Sequence, residues 1–298
     1  MSSNHNSARP KLACEIASDR ILAGRIADDG NGLEACSARE LAPGSVVPDL
    51  VENNLRQAEA VRSAIEDTLG SVGGRSRDVI AIVPDATVRV VLLDFDTLPS
   101  DGEEAAGVVR FRLKKSLPFD VDKAKVSYHA QQSGEGVKVV AAVSLASVIE
   151  DYEKAFRDAG FNPGVVLPSM LAALGAAEGK KPTLVVKVDT RTTSIAILSE
   201  GQLQLFRTLE NARGVTISGE QLAEEVYPSV VFFQDTYHLN IEQIYVSGLA
   251  DATSAVPALK AQTGAEVQEL VAPSMLGNGS GGSIPRWRMG GVVGALLS

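Results

Sequence analysis

Histidine and cysteine, which supply many metal ligands and nucleophiles, are scarce in this chain of 298 residues. The three histidines, His5, His129 and His238, are too far apart for a metal-binding motif. Sequence alone allows a disulfide between Cys14 and Cys36, but two sparse cysteines fit a reducing compartment better. We therefore expect no metal site and no disulfide framework.

Long apolar runs and a positive charge balance are also lacking. The longest apolar stretches, 88–93 and 290–297, fall far short of the ~20 residues that a membrane-spanning helix needs. Residues 1–10 are polar and do not form a secretory signal. The net charge of −9 and the pI near 5.0 oppose nucleic acid as a main partner. We expect a cytoplasmic protein that reaches a membrane only through partners.

What is present is an ordinary globular composition, with 45% hydrophobic residues and a length typical of about two domains. The first part of the chain, up to residue 95, is predicted to form a three-stranded meander, a helix capped by Asn53, and two further strands. The predicted strands are Leu12–Ile16, Ile21–Ile26, Leu33–Leu41, Val79–Val83 and Val88–Phe95.

A compact α+β unit follows. Asp101 is a candidate cap for a helix that carries Ala105, Val109 and Leu113 on one face. Two strands, 126–130 and 137–143, come next. Ser147 and Glu150 have the spacing of a capping box for a second helix, which ends at Gly160.

A second meander then begins, and Pro228 is expected to kink or divide the helix after it. The predicted later elements are strands 183–188, 194–198, 202–209, 244–246 and 267–270, helices 219–238, 256–262 and 285–297, and a Gly/Ser loop at 278–283. Both meanders place an acidic residue and a hydroxyl at their first turn, Glu15 with Ser18 and Asp189 with Thr192. The repeat suggests a duplicated α/β fold with a cleft between its halves.

Several short motifs, in order, resemble the PilM and FtsA branch of the actin-like superfamily, and the likeness to the PilM family covers nearly the whole chain. They are Leu98-Pro99, Glu103-Glu104, Ser116-Leu117-Pro118-Phe119-Asp120, Ala159-Gly160-Phe161, Phe206-Arg207, Arg213-Gly214-Val215-Thr216-Ile217, Val246-Ser247-Gly248 and 289–296. The resemblance implies an α/β, actin-like (RNase H-like duplicated) two-domain fold with an inserted small α+β subdomain. The implied domains are 1–96 plus 165–181, the insertion 97–164, and 182–298 with a shortened small subdomain.

Actin-like proteins hold Mg-ATP between two hairpin turns and a Gly-rich strand end, where bare main chain approaches the phosphates. This chain has Ala17, Arg191 and Leu249 where the family has glycine, and Glu15 where it has aspartate. The positions that match the family's nucleotide site are Glu15, Ser18, Asp189, Arg191, Thr192, Thr193, Ser247 and Gly248. The departures favour a vestigial site over one that binds ATP with Mg, and we predict no catalytic residue.

By the same resemblance, we expect a scaffold of type IV pilus assembly rather than an enzyme. It would bind the cytoplasmic tail of a PilN-like inner-membrane protein, contact pilus motor and platform proteins, and self-associate into a ring. The implied groove lies between the first domain and the inserted unit, with candidate residues Arg89, Val91, Leu93, Phe111 and Arg112. We expect the basic run 110–115 to be a solvated helix face; the alternatives are that it binds anionic lipid or an acidic peptide.

Two alternatives remain from the sequence. One is an active actin-like ATPase or sugar kinase that uses the same cleft. The other is the cytoplasmic part of a GspL-like type II secretion protein, a family whose chain normally continues into a transmembrane helix.

Overall fold

The computed structural model describes residues 9–30, 32–134, 136–277 and 284–298. The predicted loop at 278–283 and the polar residues 1–8 lie outside this part of the chain. The strands are β1 Leu12–Ile16, β2 Arg20–Ile26, β3 Leu33–Glu40, β4 Asp78–Val83, β5 Arg89–Phe95, β6 Ala124–Ser133, β7 Gly136–Leu145, β8 Asn162–Pro168, β9 Thr183–Val188, β10 Thr192–Ser199, β11 Gln202–Glu210, β12 Gln243–Ser247 and β13 Glu266–Glu269. The helices are α1 Ala58–Val72, α2 Gly102–Leu113, α3 Ala146–Asp158, α4 Ser169–Ala173, α5 Gly219–Tyr237, α6 Ala252–Thr263 and α7 Gly290–Leu297.

Two five-stranded sheets repeat one topology. The first sheet has the order β3-β2-β1-β4-β8, and the second has the order β11-β10-β9-β12-β13. In each, a meander of three antiparallel strands is extended by two parallel strands. This duplication confirms the α/β, two-domain fold that the repeated meander predicted.

The third, small sheet is antiparallel, has the order β5-β7-β6, and carries different neighbours on its two faces. Its outer face packs under α2, where Leu93 and Val139 join Val109 in one buried cluster. On its inner face, Val90 and Leu92 pack against the cores of the main body. The small sheet therefore has α2 on the side that points away from the rest of the protein.

The strand pairing does not follow the predicted boundaries of the inserted unit, 97–164. Strand β5, placed by prediction in the first domain, pairs with β7 of the small sheet. Helix α3 buries Tyr152 and Phe156 in the core of the first sheet, and β8 extends that sheet beside β4. The sheets thus favour an inserted unit of about 88–145, while the other boundaries stay predictions.

Two predicted helix starts were wrong. Helix α1 begins at Ala58 after Gln57, because Asn53 instead uses its side chain to accept a hydrogen bond from Leu55 N. Helix α3 starts directly from β7 without a side-chain cap, so Ser147 forms no capping box. Of the two effects expected of Pro228, a division of the helix does not occur, since α5 is continuous from Gly219 to Tyr237.

Helix α7 joins the two halves of the molecule. Its residues Val292, Val293 and Leu296 are buried in a cluster that includes residues of both five-stranded sheets. Gly294 allows the close approach to α4, since a Cβ there would lie 2.2 Å from the carbonyl oxygen of Ala172. Within the described residues, no helix combines the length and the apolar character needed to cross a bilayer.

Candidate functional site

Three acidic side chains meet in the cleft between the two large sheets. Glu15 lies at the end of β1, Asp85 follows β4, and Asp189 follows β9. The ends of β1 and β4 are adjacent because these strands are parallel neighbours. All three residues are at least nine-tenths buried, so their charges need compensation within the protein.

Lys187 supplies the central positive charge of this cluster. Its Nζ lies 3.6 Å from Glu15 Oε1 and 3.5 Å from Asp189 Oδ2, and the residue is only 4% exposed. Burial alone would lower its pKa, but the three carboxylates outweigh this and raise the pKa above the usual lysine range. Lys187 is therefore a permanent internal cation.

Asp85 and Asp189 respond differently to the same surroundings. Burial raises the pKa of Asp85, although Lys187 and hydrogen bonds donated by Met170 N (2.8 Å) and Ser194 Oγ (2.7 Å) oppose the rise. Burial would also raise the pKa of Asp189, but Lys187, Arg20 and the N–H of Thr190 hold it below its usual value. Asp189 is thus held in its charged form more firmly than Asp85.

Glu15 is held from the first domain and from α7. Ser169 Oγ donates a hydrogen bond to its Oε1, while no described polar group pairs with its buried Oε2. A Cβ on Gly291 would lie 2.9 Å from that oxygen, so the start of α7 closes over the carboxylate. Little room is left beside Glu15.

The second hairpin turn, between β9 and β10, is braced by Asn211, which follows β11. Asn211 Nδ2 donates to Thr193 Oγ1 at 3.1 Å, and Asn211 Oδ1 accepts from Gly214 N at 2.9 Å. Thr193 is buried, Thr192 is half-buried, and Arg191 points to solvent. In the first turn Ser18 is half-buried.

The turn at Ser247 and Gly248 is closed by the segment before α7. Ser247 Oγ and Gly248 N both donate to the carbonyl oxygen of Trp287, at 3.1 and 2.8 Å. Gly248 has a φ of +86°, and a Cβ there would lie 1.7 Å from Val188 O. The glycine is required by neighbouring main chain.

Two open grooves lie beside the small sheet, each between a pair of edge strands. The β6–β8 groove separates the small sheet from the first sheet and encloses about 250 Å³; its walls include Val83, Val88, Ser127, Ile149, Gly164 and Val166. The β5–β11 groove separates the small sheet from the second sheet and encloses about 660 Å³; its walls include Arg89, Val91, Leu92, Phe206, Thr208 and Phe232.

The structure separates the five residues predicted to bind a partner peptide. Arg89 and Val91 line the β5–β11 groove, not the groove beside the first domain. Leu93 is buried under α2, and Phe111 and Arg112 lie on the exposed face of α2. Val91 also packs against the cluster that buries Leu93, whereas Phe111 and Arg112 face outward, so the structure does not bring the five residues together on one surface.

Sequence reasoning missed Lys187, Asp85 and the β5–β11 groove, and it missed the residues that line the expected groove beside the first domain. A signal existed for Lys187, because a lysine inside the apolar strand Thr183–Val188 needs buried partners. Its partners come from distant parts of the chain, so the sequence does not predict which residues pair with Lys187.

No protein-family model and no curated protein sequence matches the chain. Among solved structures, it is similar to a chain of the PilM-PilN type IV pilus biogenesis complex, with a TM-score of 0.76, 18% identity and 97% of each chain covered. A Bacteroides thetaiotaomicron protein of actin-like ATPase fold and unknown function gives a TM-score of 0.53 at 12% identity, covering 90% of this chain and 93% of the other. The ethanolamine utilization protein EutJ of Carboxydothermus hydrogenoformans gives 0.50 at 11% identity, covering 96% and 89%. With the duplicated sheet order, these likenesses show that the chain has the actin-like fold.

Proposed function

We propose that this chain is a cytoplasmic scaffold of type IV pilus assembly that binds the cytoplasmic tail of a PilN-like inner-membrane protein. The observation that carries the proposal is the likeness to the PilM-PilN complex over 97% of both chains, which takes in the inserted unit as well as the duplicated core. Contacts with pilus motor and platform proteins, and a homo-oligomeric ring, remain predictions.

The β6–β8 groove is the site that we assign to the tail. Its two long sides are edge strands, whose outer N–H and C=O groups are available to an added strand. Its walls offer apolar contacts from Val88, Ile149 and Val166, which suit the alternate side chains of an extended peptide. This groove lies between the first domain and the inserted unit, as the family resemblance implies.

A fluorescently labelled synthetic peptide of the PilN-like tail from the same genome tests this assignment by anisotropy. Ser127→Trp fills the β6–β8 groove from an exposed position, and we expect it to weaken binding at least tenfold. Thr208→Trp, equally exposed, fills the β5–β11 groove and is the matched control. The opposite pattern would move the tail to the other groove, and no binding by the wild-type chain would refute the function.

We further propose that the nucleotide site is vestigial. Magnesium in such a cleft needs free carboxylate oxygens. Here the ammonium of Lys187 already lies between Glu15 and Asp189. The turn at Gly248 packs against Val188 O and Trp287 O, which leaves its amide committed within the protein. The residues present therefore fit a closed ionic cluster better than Mg-ATP.

An active ATPase or sugar kinase is the less favoured alternative, because every cleft acid is buried and Lys187 or a hydrogen-bond donor accompanies each. A GspL-like role in type II secretion uses the same scaffold chemistry with a different membrane partner. Binding of the PilN-like tail distinguishes the pilus role from that alternative.

A further inference from the structure

The exposed side of α2 combines an aromatic side chain with a group of cations. Val108, Phe111 and Arg112 recur at the spacing of one helix face, and Lys114 and Lys115 follow directly after the helix. Phe111 is 70% exposed, the highest value among the large hydrophobic side chains that the structure describes, and Val108 is 37% exposed. We call Val108, Phe111, Arg112, Lys114 and Lys115 the α2 patch.

The cations of the α2 patch have no acidic partners. No residue from Ala105 to Phe119 is acidic, in a chain whose net charge is −9. Within the described residues, no ion pair involves Arg112, Lys114 or Lys115. Arg112 instead lies over the ring of Phe95, 5.4 Å from its centroid. The patch is therefore a local positive field on a negatively charged protein.

Arg110, the neighbouring cation on α2, has a different role inside the protein. Its guanidinium donates to Val121 O at 3.0 Å and to Ala124 O at 3.4 Å, which ties α2 to the small sheet. Among the residues that the structure describes, no comparable bond holds Lys114 or Lys115, which are exposed just after the last turn of the helix. The basic run therefore divides into one structural arginine and a set of outward cations.

The position of the patch leaves it accessible. Helix α2 covers the outer face of the small sheet, and its buried side is formed by Ala105, Val109 and Leu113. Its far side points away from both five-stranded sheets and from the β6–β8 groove, which opens between β6 and the first sheet. A large flat partner can contact the patch without covering the β6–β8 groove, whose walls include no residue of α2.

We propose that the α2 patch is a membrane-contact surface that binds anionic phospholipid headgroups, with Phe111 entering the interface. Unpaired lysine and arginine side chains suit a negative lipid surface, and an exposed aromatic ring suits the boundary between headgroups and acyl chains. This differs from the expectation that partners alone bring the chain to a membrane, and it goes beyond tail binding.

Vesicle co-sedimentation of the full chain tests the proposal. We expect binding to phosphatidylcholine vesicles that contain phosphatidylglycerol, no binding to phosphatidylcholine alone, and release at high salt. The double variant Lys114→Glu/Lys115→Glu removes two cations worth roughly a fivefold factor each, so affinity should fall at least about twenty-five-fold. Phe111→Ser should lower it by about tenfold through lost apolar burial.

Lys180→Glu/Lys181→Glu is the matched control, because it changes the same charge at two adjacent exposed lysines elsewhere. This control should bind anionic vesicles nearly as tightly as the wild-type chain. Equal binding by the Lys114→Glu/Lys115→Glu variant would overturn the proposal, as would binding of a polyglutamate peptide without vesicle binding. The tail-peptide assay on the same variants should be unchanged, which separates this proposal from the tail site.

Discussion

Lys187 shows how a single side chain can decide the character of a cleft. Its ammonium accompanies Glu15 from the first domain and Asp189 from its own strand end, so it links the two halves of the protein. Breaking such a buried pair costs about 3–5 kcal/mol, because the remaining charge is left without compensation. The cluster is therefore a stabilising contact between the two halves, and in the proposed function it also opposes a divalent cation.

The opposite pKa shifts of Asp85 and Asp189 predict opposite responses to neutralisation. For Asp189, whose folded pKa is lowered, the stabilisation is present above the unfolded value of about 3.9 and is lost as pH falls through the folded pKa. Asp189→Asn should therefore destabilise the fold at neutral pH by about 3 kcal/mol.

For Asp85, whose folded pKa is raised, ionisation opposes folding as pH rises above about 3.9, and the cost is complete above the folded pKa. Asp85→Asn should thus change stability at neutral pH by less than about 1 kcal/mol, or increase it. Urea unfolding of both variants at neutral and acidic pH measures this difference. Equal losses in the two variants would contradict the assigned charge states.

Gly248 offers a second test at the scale of one residue. Gly248→Ala must place a methyl group 1.7 Å from Val188 O, whereas Gly264→Ala meets no atom within 4 Å at a similar positive φ. We expect Gly264→Ala to cost about 1 kcal/mol for the backbone alone and Gly248→Ala to cost at least about 3 kcal/mol. Thermal unfolding without nucleotide is the measurement, and similar costs would remove the packing explanation.

At the scale of single elements, two helix starts show when a local sequence pattern is enough to predict a cap and when it is not. Asp101 was predicted as the cap of α2, and its side chain does accept hydrogen bonds from the N–H groups of Glu103 and Glu104. Ser147 fits the capping-box pattern equally well, yet β7 runs straight into α3 and makes the cap unnecessary.

Asp101→Ala should therefore destabilise the protein by about 1 kcal/mol, while Ser147→Ala should stay within about 0.5 kcal/mol of the wild-type chain. Chemical denaturation compares the two variants directly. A loss for Ser147→Ala as large as that for Asp101→Ala would show that Ser147 caps α3 in solution.

Both meanders, α2 and the later strands of the second half were predictable because their apolar spacing and turn residues are local signals. Strand β8 was missed, since its sequence contains Pro163, Gly164 and Pro168. Such residues are tolerated there because β8 is an edge strand, which has one side free of ladder hydrogen bonds. Whether a strand lies at an edge depends on the whole sheet, so it cannot be predicted from the sequence of that strand alone.

The candidate site was predictable in part. The turns around Glu15, Asp189 and Gly248 were located from the repeat, and all three meet at the cleft. The linings of the grooves were not predictable, because each groove depends on two strands that are far apart in the sequence. The predicted tail residues on β5 and α2 failed to converge for the same reason, since the pairing of β5 with β7 turns Leu93 into the core.

At the scale of the whole molecule, the shared buried cluster around α7 predicts cooperative unfolding. Trp287, the single tryptophan of the chain, lies just before α7 and accepts hydrogen bonds from Ser247 and Gly248. Its fluorescence therefore reports on the junction of the two halves. Urea transitions followed by Trp287 fluorescence and by far-UV circular dichroism should coincide.

Leu296→Ala should lower the stability seen by both probes by the same amount, about 2–5 kcal/mol, because the side chain is buried in the shared cluster. Separate transitions for the two probes would mean that the halves unfold independently.

The central claim is that the cleft is filled by its own ion pairs and that the chain works by binding a partner. Isothermal titration calorimetry of the wild-type chain with Mg-ATP tests this most directly. We predict no binding heat at millimolar nucleotide, because Lys187 already compensates Glu15 and Asp189. Micromolar binding of Mg-ATP with one-to-one stoichiometry would contradict the account.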